Sequence, residues 1–450
     1  LHFGSVVFSA KSVFMKKYIV FLLSFGLVGT GQTFAQNNTK TLSECLQIAM
    51  DSNLSIAIAH EGVAFSLEKS REASSITRPK VFVAFDYRLY GNLPTQLLPA
   101  DAFGGPSGVY KEAEFGVPHV LNLNVQANYP LYNPAARAGV SVAKLAPLTA
   151  ELQVQKTREE TAFTVSATYY QAQVAANQVL FLEGNIWNLA RLAENMRLLK
   201  EQLLAKGTDV DKIVLQHDLL LAQLAAAQAG YEQAVNALKF QMGWSPESTL
   251  VVPAEPDSIA INAGSGSPAD LLLLQQQQQT IRAETKTARA ARLPVVSLYG
   301  FYGYNGFGKA GDNSFFKEFP LSYIGMQASV PIYDGGLTRS KLNQKAIEQK
   351  RVSQQEQLLR EKYALDLQNA EINIRANRKV LMAQGANIRL AERLFDQAQT
   401  QLREGVASIA DVLQSENTLR EAQNNYLSAL VKLRISELER LRAAGLLPME

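Results

Sequence analysis

The chain has one cysteine in 450 residues, Cys45, so no intrachain disulfide can staple it. Glu44 precedes that cysteine and spoils a lipidation reading. Its helical spacing within Leu42-Ser-Glu-Cys-Leu-Gln-Ile-Ala49 marks it as a packed helix residue instead. Histidine is almost as scarce: His60, His119 and His217 lie far apart, with no spacing that would ligate a metal. No P-loop, nucleophile elbow or glycine-rich phosphate fingerprint occurs. Gly300, Gly303, Gly306 and Gly308 suit strand and turn geometry better. The expectation is therefore no enzyme, no catalytic residue, no cofactor and no metal.

Excess charge is missing too. Lys11, Lys16 and Lys17 fall in a leader-like segment, and without them the 44 basic residues drop to the 41 of the acidic ones. A balanced chain leaves no footprint for nucleic acid. After that segment no run of 18 apolar residues occurs, so no helix is expected to cross a bilayer. A membrane, if there is one, must be met with strands.

Residues 1–35 stand apart. Translation is expected to start at Met15, with Lys16-Lys17 as charged region, Tyr18 to Val28 as apolar region and Thr33-Phe34-Ala35 as cleavage site. Residues 1–14 would then be upstream sequence, and the mature chain would begin near Gln36.

What the remainder holds is a duplication. Val125-Gln-Ala-Asn-Tyr-Pro-Leu-Tyr-Asn-Pro134 and Met326-Gln-Ala-Ser-Val-Pro-Ile-Tyr-Asp-Gly335 lie 201 residues apart. Each ends a run of apolar/polar alternation and precedes a long Ala- and Gln-rich stretch of helical period. The first repeat is expected over 36–243, with a helix, a strand pair at about 79–132 and a long helical hairpin. The second spans 268–450 in the same order, with its strand pair at about 294–332. Residues 244–267, rich in proline, form the linker at the equator of the molecule.

In the first strand pair, Val81, Val83, Phe85, Tyr87 and Leu89 oppose Ala84, Asp86 and Arg88. Leu121, Leu123, Val125, Ala127, Tyr129 and Leu131 oppose Asn122, Asn124, Gln126 and Asn128. In the second pair, Ile324, Met326, Ala328, Val330 and Ile332 oppose Tyr323, Gly325, Gln327 and Ser329, while Val295 to Tyr304 alternates less cleanly. Strands of about ten residues with one apolar and one polar face fit a transmembrane barrel. A soluble antiparallel sheet alternates in the same way. The connections Gly91 to Pro118 and Asn305 to Pro320 read as long loops on one side. Four strands cannot close a barrel, which needs about eight; two chains would supply eight and three would supply twelve.

Proline is absent between Pro331 and Pro448, so Thr338 to Arg403 can form one helix. Its counterpart, about Ala135 to Lys206, contains Gly139 and Pro147, which predict a kink or late start. Gly184 and Gly385 match across the repeats, and Gly207 and Gly405 are expected to end the two long helices. Return helices follow over Asp209 to Met242 and Ile409 to Ala444. Their expected seams are Leu215, Leu219, Ala222, Ala226 and Ala229, and Leu419, Ala422, Tyr426, Ala429 and Leu433. Shorter helices are expected over Thr41 to Ser75 and Pro268 to Arg292, the second with Gln275 to Gln279 as a polar face. Thr208 with Asp211, and Ser408 with Asp411, read as capping-box-like starts.

Four strings carry a family likeness. They are Thr41-Leu-Ser-Glu-Cys-Leu-Gln-Ile-Ala-Met-Asp-Ser-Asn53, Arg292-Leu-Pro-Val-Val-Ser-Leu298, Val330-Pro-Ile-Tyr-Asp-Gly-Gly336 and Glu404-Gly-Val-Ala-Ser-Ile-Ala-Asp-Val-Leu413. In this order and spacing the chain resembles the TolC-like outer-membrane efflux family over residues 40–446. The resemblance implies a mixed α and β fold: a transmembrane β-barrel shared between chains, four strands per protomer and twelve in a homotrimer, continuous with a periplasmic α-helical coiled-coil barrel. It implies a passive exit duct in the bacterial outer membrane, for efflux or type I secretion. The partners would be outer-membrane lipid, a periplasmic adaptor of the membrane-fusion type and an inner-membrane transporter. Asp411 matches the family's constricting acidic ring, Gln414 stands where a second carboxylate often sits, and Asp211 is the corresponding acid of the first repeat. Gly207, Thr208, Gly405, Val406 and Ser408, farthest from the membrane, are the expected adaptor-docking tip. Two departures are Pro147 and a chain end at Glu450, from which a packed C-terminal tail is not expected. The alternative is a periplasmic coiled-coil structural or adaptor protein without a pore, which explains the helices but not the strand pairs.

Overall fold

The computed structural model describes residues 39–255, 266–309 and 317–448. The expected leader and the linker residues 256–265 lie outside them. The chain opens with α1 (Leu42–Ser52) and α2 (Leu54–Ser75), then β1 (Lys80–Leu89), β2 (Thr95–Pro99), β3 (Tyr110–Glu114) and β4 (His119–Tyr132). Three helices follow: α3 (Pro134–Ala143), α4 (Ala146–Glu201) and α5 (Gly207–Gln241). The second half runs α6 (Ala269–Ala290), β5 (Val295–Gly308), β6 (Lys317–Ser329), α7 (Leu337–Arg403) and α8 (Ile409–Ala444).

One antiparallel sheet unites the halves in the order β1-β4-β5-β6. Val83 pairs with Val125, Val125 with Tyr302, and Tyr302 with Ser322. Partners share a face, so the apolar residues of each strand meet across the ladder. That face is not covered: Val83 and Phe85 are each 68% exposed, whereas Asn124 on the polar face is 8% exposed. A soluble sheet buries its apolar side, and this one leaves it bare. The polar side is tightly packed at one point. An ideal Cβ on Gly303 would lie 2.6 Å from Asn124 Cβ, so only glycine fits beside Asn124.

Strand ends depart from expectation. The Asn305 to Pro320 stretch is not all loop, since Asn305 pairs with Phe319 and Phe307 with Lys317; residues 310–316 lie outside the described ones. Gly91 to Pro118 contains the hairpin of β2 and β3, a separate two-stranded sheet. Val330 and Ile332 fall beyond β6, because Pro331 has no N–H for a ladder.

The opening helix is two helices. Asn53 breaks it: its Oδ1 accepts from Ser55 N at 2.8 Å and Ile56 N at 3.1 Å, while its Nδ2 donates to Gln241 O at 2.6 Å. A side chain that caps the next helix competes with continuing the first. The predicted interruption near Pro147 is present, between α3 and α4, with the proline in the first turn where no N–H is required. Gly139 interrupts nothing. The 67-residue α7 is continuous, roughly 100 Å long at ~1.5 Å per residue.

Two apolar clusters hold the helices. One gathers Cys45, Leu46, Val165, Tyr169, Leu238 and Leu441 near the middle. The other gathers Leu189, Ile213, Leu220, Phe395, Val412 and Leu419 toward the far end. Cys45 is fully buried, which pushes its thiol pKa up to about 12 and makes it a core atom rather than a nucleophile. The α8 seam is as expected, with Leu419, Ala422, Ala429 and Leu433 buried. The α5 seam is not. Val210, Ile213, Leu220, Val235 and Leu238 are buried, whereas Leu215 is 63% exposed and Leu219, Ala222, Ala226 and Ala229 are exposed with it. Apolar residues surround α5 on two sides, and a single chain covers only one.

Polar contacts tie the halves together. Pro268 cannot cap α6 with a side chain; Glu159 of α4 accepts from Ala269 N with both carboxylate oxygens at 3.1 Å. The Gln275 to Gln279 tract is not a plain solvated face. Gln276 is buried and its Nε2 donates to Leu145 O, at the α3/α4 break, while Gln275 and Gln278 donate to Glu356 of α7. Residues 251–254 of the linker lie against the first repeat, with Lys40 N donating to Val251 O and Asn177 Nδ2 to Ala254 O.

Candidate functional site at the helical tips

The two hairpin ends are built differently. At the second, α7 stops at Gly405, whose φ of +76° is open to glycine at little cost. Val406 N and Ala407 N then donate to Gln401 O, satisfying a carbonyl that the helix leaves over. Ser408 caps α8: Asp411 N donates to Ser408 Oγ at 3.3 Å, and Asp411 Oδ2 accepts from Ser408 N at 2.9 Å and Oγ at 2.7 Å. The Ser408 hydroxyl, then its backbone N–H, holds the exposed Asp411 carboxyl below the usual aspartate range. Gln414 is exposed one turn on.

At the first end the expected box is not formed. Gly207 opens α5 rather than closing α4, so Thr208 lies inside the helix, and the cap position falls to Lys206, which makes no side-chain cap bond. Asp211 is exposed in the following turn, and Asp209 instead pairs with Lys212 at 3.3 Å. Here α4 ends through Leu203, at φ +59° the one non-glycine residue with positive φ among those described. A γ-branched side chain in that region is strained. Leu203 is 93% exposed and Leu204 lies exposed beside it, matching exposed Val406 on the other turn. These leucines were missed in sequence; the signal was two adjacent leucines three residues ahead of the turn glycine.

Above the tips the hairpins meet through polar groups. Gln216 Nε2 lies 3.3 Å from both Glu416 Oε2 and Asn417 Oδ1, Arg420 donates to Gln223 Oε1 at 3.2 Å, and Asn185 Nδ2 to Gln423 Oε1 at 2.8 Å. Glu416 is 1% exposed and its Oε1 has no partner among the described residues. Burial raises its pKa, with Arg420 opposing. Nothing local in the sequence distinguishes Glu416 from the surface glutamates of α8.

The described residues thus form a sheet with its apolar face bare, joined to two helical hairpins with exposed turns. Comparison with known proteins agrees. Residues 266–445 match the family model described as outer membrane efflux protein. Outer membrane protein TolC of Vibrio cholerae is 22% identical over 338 residues, 73% of this chain and 77% of that one. TolC of Escherichia coli is 21% identical over 451 residues, 96% and 87% of the two. Among solved structures, CusC superposes with a TM-score of 0.73 at 15% identity, covering 90% of this chain and 92% of that one. VceC of Vibrio cholerae gives 0.70 at 16%, covering 91% and 97%. Residues 266–445 thus carry the likeness to the outer membrane efflux protein family, and the described fold is that of TolC-like channels.

Proposed function

We propose that this protein is the outer-membrane channel of an efflux system, a passive duct made by three copies of the chain. The carrying observation is the sheet whose apolar face is left bare, with Val83 and Phe85 each 68% exposed, while Asn124 on the polar face is packed over Gly303. In hydrocarbon the apolar face is solvated and the polar face needs an enclosed aqueous lumen. Hydrocarbon does not tolerate the open edges of β1 and β6. Pairing β6 of one chain with β1 of the next satisfies both, and three chains make twelve strands. The helices would then continue as a periplasmic tunnel. The exposed Leu215 and Leu219 face of α5 supports this reading, because a neighbouring protomer would cover it.

At the far end, Leu203, Leu204, Gly207, Thr208, Gly405, Val406 and Ser408 would meet a periplasmic adaptor, and an inner-membrane transporter would supply the energy. Three copies of Asp411 about the axis would form a single acidic ring that holds cations and narrows the passage. Gln414, being neutral, adds no second ring, and Asp211 is the weaker candidate because its turn is not capped.

The test is heat-modifiable migration of protein from an outer-membrane fraction, trimeric cross-linking, and conductance in planar bilayers. A soluble monomer without conductance would instead identify a periplasmic spacer.

A further inference from the structure

Charge is nearly balanced over the chain but not along it. Where the strands hand over to the helices, residues 76–80, 133–144, 286–294 and 330–345 hold ten lysines and arginines against one acid, Asp334. Nine of those ten cations are exposed. Asp334 is engaged within its own turn, accepting from Gly336 N and Thr338 N at 3.0 Å each. Lys345, the half-buried cation, is held by Glu284 at 2.6 Å and Glu348 at 2.7 Å. Arg339 and Lys341 form no ion pair among the described residues. The junction therefore carries an uncompensated belt of positive charge.

Within this belt is a cavity of about 1080 Å³. Its walls are small or apolar: Gly139 and Val142 of α3, Ala288 and Ala291 at the end of α6, Ile332 of the strand-to-helix link and Leu337 of α7. Arg292, Arg339 and Lys341 line it too, and all three are exposed. Ile332 is 97% exposed and Leu337 56%, so the slot offers bare hydrocarbon beside free cations. A neighbouring chain would not be the natural cover. The helices stand in the row α2, α3 with α4, α6, α7, matching the strands β1, β4, β5, β6 that they join. Chains in a ring would meet at the ends of that row, whereas the cavity spans α3, α6 and α7 across its broad face.

We propose that this cavity seats an anionic phospholipid of the leaflet nearest the helices, its head group among Arg292, Arg339 and Lys341 and an acyl chain in the slot beside Ala288, Ile332 and Leu337. This rests on the reading that the sheet spans a bilayer. On that reading the strand ends lie at the membrane surface and the cavity at the level of the head groups. Basic residues just outside the hydrocarbon attract anionic head groups, and basic pockets between helices hold them. Tyr132 and Tyr333, exposed at the same place in each repeat, suit that level, where a tyrosine ring sits among head groups. A simple anion would leave the slot empty, and an uncharged amphiphile would leave the cations unused.

The test is native mass spectrometry of the full-length trimer, titrated in detergent with dioleoylphosphatidylglycerol or with zwitterionic dioleoylphosphatidylcholine. The wild type should retain phosphatidylglycerol the more tightly. Each basic side chain near an anionic head group is worth about fivefold in affinity. The variant Arg339→Gln/Lys341→Gln, at two exposed positions, should therefore hold phosphatidylglycerol about 25-fold more weakly and phosphatidylcholine as before. Its reversal potential in a salt gradient should equal that of the wild type. Equal retention of the two lipids by the wild type, or a variant that keeps its phosphatidylglycerol, would overturn the site. So would a reversal potential that moves toward cations in the variant, which would put these charges inside the duct. Each of these results leaves the channel standing. A protein soluble without detergent would remove the bilayer reading and the lipid site together.

Discussion

Replacing Val125 by arginine places a guanidinium near the middle of β4, on the face it shares with Val83 and Tyr302. At mid-membrane such a substitution costs about 2–4 kcal/mol per chain. A symmetric trimer carries three copies, so the assembly would lose about 6–12 kcal/mol, comparable to the whole stability of an ordinary domain. The control belongs on the opposite face. Asn124 is adjacent but unsuitable, because it is 8% exposed and wedged over Gly303. Asn128 is exposed on that face, and arginine there would meet water. Unboiled gels of outer-membrane fractions should show little or no trimer for Val125→Arg and the normal amount for Asn128→Arg. Reversal potentials in a salt gradient should shift toward anions for Asn128→Arg. If both variants assembled equally, or the order were reversed, the faces would be assigned the wrong way round.

Three further outcomes are expected. Asp411→Ala should raise single-channel conductance and weaken block by divalent cations, while Asp411→Glu changes little; Ser408→Ala, which keeps the carboxylate and removes the capping hydroxyl, should cost about 1 kcal/mol on melting with block retained. Burial holds the Glu416 pKa above its usual 4.5, so the folded state binds this proton more tightly than the unfolded one, and stability falls as pH rises through the raised value. Melting temperature should therefore drop from mildly acidic to neutral pH in the wild type, and Glu416→Gln should flatten that drop and gain about 1 kcal/mol at neutral pH. Asn53→Ala removes the α2 cap and the bond to Gln241 O, for a loss of about 2 kcal/mol in denaturant melts, with Asn53→Asp losing only the second part.

The strands were legible because their period of two is strict and one face is uniformly apolar, as in Leu121 to Leu131. Their ends were not, since pairing of Phe307 with Lys317 depends on a partner strand and not on either residue. The α8 seam was readable from Leu419, Ala422 and Leu433 because the other faces of that helix are polar. In α5 the run Leu219-Leu220-Leu221 leaves the phase open, and packing chose Leu220. The Ser408–Asp411 cap followed from local chemistry. Thr208 and Asp211 have the same spacing, yet the chain enters α5 two residues earlier, and spacing alone does not fix where a turn begins. Asn53 carried a visible capping signal that an apolar period on both sides outweighed. Glu416, Glu159 and Gln276 owe their roles to residues 70 or more positions away, so no window of sequence could show them.

The unequal hairpin ends carry a consequence for whatever meets them. One end is a relaxed glycine turn locked by a reciprocal serine–aspartate pair; the other is a strained leucine elbow that offers bare hydrocarbon. A ring of three chains would present six such ends in strict alternation, like a gear whose odd and even teeth are cut to different profiles. A companion ring that repeats three times per revolution could satisfy every tooth with one set of contacts. One that repeats six times would have to hold the same surface in two conformations, or leave half of its grip idle.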